Sequence, residues 1–174
     1  MKSKTVKKPI VEVSDRTKKR LKYLDIIEKY GGDILSHPRF LQQKDYYQHG
    51  NTTTYDHVIL VADKSLRIAK RWPFKVNEES LVRSALLHDY YLYDWHHPGK
   101  GNHFHPFRHG GRAKANAIKD FNVSKREQNA IKHHMFPLTL VPPIHSEGWI
   151  ITLADKTSAM KETTKRRKKA KKVK

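Results

Sequence analysis

The residues in this chain best suited to chemistry are its histidines. There are 12 among 174 residues, and nine of them fall between His88 and His145. Average usage of so rare a residue type would give roughly 4. Cysteine is absent, which excludes disulfide scaffolds, thiolate zinc sites and cysteine nucleophiles. Any metal site has to be built from His, Asp or Glu. Imidazole nitrogen and carboxylate oxygen suit borderline and hard divalent ions. Two such ions about 3.5–4 Å apart need a bridging group, and a carboxylate has two oxygens for that task.

Five places supply such groups. His57 lies early in a helical pattern. His88-Asp89 closes the apolar run Leu81–Leu87, and Asp89 is placed to bridge. His109 opens an Ala-rich segment, and His133-His134 closes another. Asp155 sits in Leu153-Ala154-Asp155-Lys156, inside the apolar stretch Trp149–Met160. Each has an ordinary reading too. A lone helical His is usually satisfied or exposed. His133-His134 would suit the negative end of a helix dipole as solvated cations. Asp155 on an apolar face is costly if unpaired, yet a nearby Lys or Arg would pair it. His37, His49 and His145 read as plain surface or core residues.

The elements that must position these groups are helical nearly throughout. A first helix is expected from Asp15 to Tyr30, stopped by Gly31-Gly32. A short second helix starts at Ser36, with Pro38 in its first turn and Phe40, Leu41, Tyr46 and Tyr47 facing inward. A third follows Thr52-Thr53-Thr54, carries His57 and Val61, and ends by Trp72-Pro73. Asn77 caps a fourth that reaches Asp89. Tyr90–Phe107, with Pro98, Gly99, Gly101 and Pro106, reads as a long loop, and such loops are often functional. Its His96, His97, His103 and His105, with Trp95, Phe104 and Phe107, read as loop residues, some hydrogen-bonded behind the site; a lid is the other reading. A fifth helix runs from His109 to Phe121. Ser124-Lys125-Arg126-Glu127 is a capping box opening a sixth. A last helix begins near Ser146. No segment shows strand alternation, so the fold is expected to be all-α.

Net charge is +19, but its distribution matters more. Residues 1–22 carry +7 and residues 161–174 carry +8, leaving +4 for the 138 residues between. The organisation expected is a basic N-terminal tail over 1–14, a helical domain over 15–162, and a basic C-terminal tail over 163–174. Such blocks are solvated ends or contacts for nucleic acid or another polyanion. No apolar run approaches the about 18 residues of a membrane span, and the N-terminus lacks the apolar core of a secretory signal. A cytoplasmic protein is expected.

In order and helical context, His57, His88-Asp89, His109-Gly110, His133-His134 and Leu153-Ala154-Asp155-Lys156 resemble the motifs of the HD-domain metal-dependent phosphohydrolase superfamily. Ser84-Ala-Leu-Leu-His-Asp89 resembles its defining element, and the likeness spans about residues 49–160. The resemblance implies an HD-domain bundle of about six to seven helices around a buried metal centre. By carry-over, His57, His88, Asp89 and Asp155 would hold one divalent transition metal. His109 and His134 would hold a second, with Asp89 bridging; His133 is the alternative to His134. Mn, Fe, Co, Ni and Zn are not distinguished. The chain departs from the family pattern at Tyr90-Tyr91-Leu92-Tyr93, where a small residue usually follows the Asp. It also lacks the Gly-Tyr-Pro signature of the cyclic-di-GMP phosphodiesterases.

The implied chemistry is hydrolysis of a phosphomonoester or phosphodiester, of a nucleotide above all, by a metal-activated hydroxide. Asp89 would be catalytic through the metals, Lys156 would assist, and Arg112 and Lys156 would contact the substrate phosphate. Two other readings stand beside it: a di-iron oxygenase on the same ligand set, and a non-enzymatic polyanion-binding protein that works through its tails.

Overall fold

The computed structural model describes residues 11, 13–49, 52–94 and 104–171. Residues 1–10 of the N-terminal tail, and Trp95, His96, His97 and His103, lie outside the described residues. So do the side chains of Arg16, His49, Glu162 and those from residue 164 onward.

The chain is an all-α bundle with one small hairpin. A single turn, α1 (Asp15–Lys18), is followed by α2 (Leu24–Leu35), α3 (Pro38–Leu41) and a 3₁₀ turn (Gln42–Lys44). The hairpin pairs β1 (Tyr47–His49) antiparallel with β2 (Thr52–Thr53). Then come α4 (Thr54–Ala69), α5 (Glu78–Leu87), α6 (His105–Asp120), α7 (Lys125–His133) and α8 (Ser146–Lys171). Helices α4 and α5 pack side by side at the centre, α8 lies across both, α2 covers α5, and α6 sits on α7. Their shared core is built from Ile27, Ile34, Phe40, Tyr55, Val58, Ile59, Leu81, Leu86, Ile131 and Ile150, all fully buried. Each such side chain contributes about 1.5–3 kcal/mol over leaving it in water.

Helix starts follow the caps in the sequence. The side chain of Thr53 accepts from Asp56 N, that of Asn77 from Ser80 N, and Ser124 with Glu127 completes a reciprocal capping box. Where α2 lacks a side-chain cap, the core anchors the chain entering it: Asp63 Oδ1, from α4, accepts from Lys22 N at 2.6 Å and Tyr23 N at 2.9 Å.

Several expectations are corrected. The first helix is broken after Lys18, and α2 runs straight through Gly31-Gly32 to Leu35. Gly31 is a packing glycine, because a Cβ there would stand 2.3 Å from Leu86 Cδ1. Helix α6 begins at His105 rather than His109, with Pro106 in its first turn, where the missing N–H costs nothing. Phe104, His105 and Phe107 are thus at a helix start, not mid-loop. Tyr47 is exposed and Tyr46 half-buried, because β1 is a short edge segment rather than part of an inward helical face. Helix α8 continues past residue 163 to Lys171. None of the helices is long and apolar enough to cross a membrane, among the described residues.

Candidate metal centre

Five helices deliver the predicted residues to one buried point. His57 comes from the first turn of α4, and His88-Asp89 follow directly on the last turn of α5. His109 is one turn into α6, His134 caps the end of α7, and Asp155 is mid-way along α8. His57, His88 and His134 are wholly buried, and His109, Asp89 and Asp155 nearly so.

Asp89 is the hub. Its Oδ2 faces His88 Nε2 at 3.4 Å and His57 Nε2 at 3.8 Å. Its Oδ1 faces His109 Nε2 at 3.3 Å and His134 Nε2 at 3.7 Å. Asp155 Oδ1 closes the first group, 3.1 Å from His57 Nε2 and 3.9 Å from His88 Nε2. Three overlapping sets result: His57, His88 and Asp89; His88, His134 and Asp155; Asp89, His109 and His134. Within each set the ligating atoms lie within 4.8 Å of one another.

The rings are oriented by their own helices. Nδ1 of His88 donates to Ala85 O at 2.8 Å, that of His109 to His105 O at 2.9 Å, and that of His134 to Ile131 O at 2.8 Å. A carbonyl only accepts, so Nδ1 carries the hydrogen in all three, and a neutral ring presents a bare Nε2 lone pair inward. This arrangement behind the donor atom is the one metal-bound histidines use.

The donor set fits a divalent cation. Among the described residues, His88 Nε2 and Asp89 Oδ1 are buried without a hydrogen-bond partner. Leaving such groups unsatisfied costs about 1–3 kcal/mol each, and a cation at the hub would satisfy both. The electrostatics agree. Burial alone would raise the Asp89 carboxyl, but the charge of His88, with His109 and His134, holds it far below the usual carboxylate range. Asp155 is likewise held down against burial by the imidazoles of His57 and His88 beside it. Burial, then the charges of His109 and His88, push His134 down to about 3, so it stays neutral. His109 goes the other way, since the Asp89 carboxylate beside it outweighs its burial.

Behind the hub lies a polar layer that sequence reasoning missed. Gln48, on β1, donates from Nε2 to Asp89 Oδ2 at 2.7 Å. Its Oε1 accepts from the Tyr91 hydroxyl. Tyr93 Oη bonds His105 Nδ1 at 2.7 Å, and the His105 ring stacks on His109 at 4.7 Å between centroids. Leu92 adopts a positive φ of 55°, which turns the chain there, and the rings of Tyr91 and Tyr93 sit 4.9 Å apart. The only sequence signal for this layer was the tyrosine cluster after His88-Asp89. Tyr90 points elsewhere, with its hydroxyl donating to Asp120 at 2.8 Å in the core. Gln48 carried no signal, because its hairpin is too short for a pattern.

The other predicted residues divide. His133 does not reach the cluster; it is half-buried on the opposite side of α7. Lys156 follows Asp155, and its Nζ is buried without a partner; burial lowers it, against a smaller opposing pull from Asp155. Arg112, one turn on from His109, stacks on the Tyr93 ring at 4.8 Å.

A helical bundle that gathers four histidines and two aspartates from α4 to α8 defines a metal-dependent HD hydrolase type of fold. The HD-domain family model matches residues 54–160, and the chain belongs to the HD-domain family. That stretch covers α4 to the middle of α8, and so every residue of the cluster. No curated protein and no solved structure matches the chain.

Proposed function

We propose that the protein is a metal-dependent phosphohydrolase that cleaves a phosphomonoester or phosphodiester bond of a nucleotide-type substrate. The observation that carries the reading is the placement of the two Asp89 oxygens, each facing its own pair of histidines. That geometry supports a dinuclear centre in which His57, His88, Asp89 and Asp155 hold one ion, and His109, His134 and Asp89 the other. Such a centre, when loaded, supplies a nucleophilic hydroxide near neutral pH and polarises a phosphoryl oxygen.

The chain's own residues do the rest. Gln48 fixes the rotation of the Asp89 carboxylate through Oδ2. The carbonyls of Ala85, His105 and Ile131 hold the three Nε2 atoms on target. Lys156, an unpartnered amine beside Asp155, is assigned to the substrate phosphate, and Arg112 supports it from the α6 side. Positive groups of this kind stabilise the charge that develops on the phosphoryl oxygens.

The test is metal content and phosphate release, measured on protein purified without chelator or polyhistidine tag. Two equivalents per chain, lost in Asp89→Ala, together with phosphate released from nucleotides under Mn, Fe, Co, Ni or Zn, support the assignment. Bound iron that consumes dioxygen with no phosphate release would move it to the oxygenase class. No metal after reconstitution would leave the basic tails as the functional part.

A further inference from the structure

A second site lies outside the metal cluster. On α6, His109 and Ala113 point into the core, whereas Arg108, Gly111 and Ala115 face the other way. Together with the 132–141 segment they line a groove of about 620 Å³. Its volume falls in the range of roughly 300–1,000 Å³ typical of small-molecule sites.

The lining has a definite chemistry. Arg108, Arg112, Lys132 and His133 bring three fixed cations and an imidazole, and no acidic side chain is among the described lining residues. Thr139, also on the wall, has a buried hydroxyl with no hydrogen-bond partner. Phe107 presents a ring that is 55% exposed. Gly111 leaves the groove open, since no described atom lies within 4 Å of where its Cβ would stand. Several cations with no acidic side chain among the described lining residues suit a ligand carrying more than one phosphate, and guanidinium groups bind phosphate oxygens in pairs. An exposed ring beside them gives a flat ring system something to stack on.

We propose that this groove binds a nucleoside polyphosphate, with its phosphates on Arg108 and Lys132 and its base against Phe107. The site needs no metal, so it stands apart from the hydrolase assignment. Arg112 stacks on Tyr93, which bonds His105, which stacks on His109. An occupant of the groove therefore touches a chain of contacts that ends at a proposed metal ligand.

The experiment is calorimetric titration of full-length protein with adenosine triphosphate in chelator and about 0.15 M salt. The basic tails attract any polyanion through charge alone, so the deciding variant must leave every charge in place. Gly111→Leu does so, because it fills the groove from an open position. Saturable binding in the parent is expected, with a tenfold or greater loss in Gly111→Leu, at least fivefold loss in Arg108→Ala, and no change in Asp89→Ala. The melting temperature of Gly111→Leu should equal or exceed that of the parent, because a helical glycine is replaced. Inorganic triphosphate should bind several-fold more weakly than the nucleotide. Equal binding by Gly111→Leu and the parent, or no saturable binding by the parent, would overturn the site. Equal binding of triphosphate and nucleotide would overturn the role of Phe107.

Discussion

His109 Nε2 and His134 Nε2 face each other at 2.9 Å, and each ring has already given its Nδ1 hydrogen to a carbonyl of its own helix. Two bare lone pairs at that distance repel. A proton on one nitrogen relieves the contact, and so does a metal ion shared with Asp89. The cluster is therefore poised to exchange a proton for a metal, and its affinity should fall in acid.

Metal should stabilise the fold measurably. A ligand at about 100 times its dissociation constant adds about 2.7 kcal/mol, and 1 kcal/mol moves the melting temperature by about 2–4 °C in a chain of this size. Adding Mn or Zn to chelator-treated protein should raise the melting temperature by roughly 5–10 °C, and Asp89→Ala should erase the shift. An unchanged temperature in the parent would count against a metal-linked fold.

Gln48→Ala should weaken metal binding by about 10–100-fold, the usual cost of losing a partner behind a metal ligand. The melting temperature of the metal-free variant should drop only slightly, since Gln48 sits in a two-stranded hairpin rather than in the helical core. A competition titration against a chromogenic chelator reads the affinity directly. Parent-like affinity would show that Asp89 holds its orientation unaided.

The stability of metal-free protein should peak near pH 6.5. His134 has a folded pKa of about 3 against an ordinary 6.5, so the unfolded chain binds more protons below pH 6.5 and stability is lost as pH falls from there. His133, also lowered, acts in the same direction. His109 is raised; its contribution is full below 6.5 and is lost as pH climbs through its folded pKa. Asp89 and Asp155, held below 3.8, add a further loss only in stronger acid. Urea midpoints measured from pH 4 to 9 test this. In His134→Gln the slope between pH 6.5 and 4 should flatten, and an unaltered slope would assign the acid limb elsewhere.

Two neighbouring glycines should respond oppositely to alanine. A Cβ at Gly110 would stand 2.7 Å from the backbone oxygen of Lys132, so Gly110→Ala should force α6 away from α7 and cost about 1–3 kcal/mol. It should also weaken metal binding, since that contact sets the spacing of His109 from His134. Gly111→Ala meets nothing and should gain about 0.5–1 kcal/mol. Thermal melts of the pair decide it, and equal losses in both would show that the packing argument is wrong.

Much of this was legible in the residues. The caps at Thr53, Asn77 and Ser124 fixed the starts of α4, α5 and α7, because a side-chain acceptor three residues ahead of a free N–H is a local signal. The six clustered residues were legible as a set, because five sit at or near a helix end and Asp155 lies within the apolar stretch Trp149–Met160. What escaped depends on tertiary contact. Gly31 looks like a helix stop until Leu86 is seen against it. Phe40 buries as expected, but Tyr47 does not, because the short hairpin breaks the helical phase. Gln48 reaches Asp89 across 41 positions, and nothing in its neighbours marks it. His133 and His134 are adjacent, and only the packing of α7 decides which of them turns inward.

The span between His57 and Asp155, which touch across 98 positions of chain, has a bearing on biosynthesis. At about 5–20 residues per second, the first histidine leaves the ribosome some 5–20 s before its carboxylate partner. Throughout that interval the nascent chain offers only a partial donor set. The complete cluster can therefore be assembled only after α8 has emerged, so a ribosome that stalls before Asp155 leaves a chain in which His57 lacks its carboxylate partner.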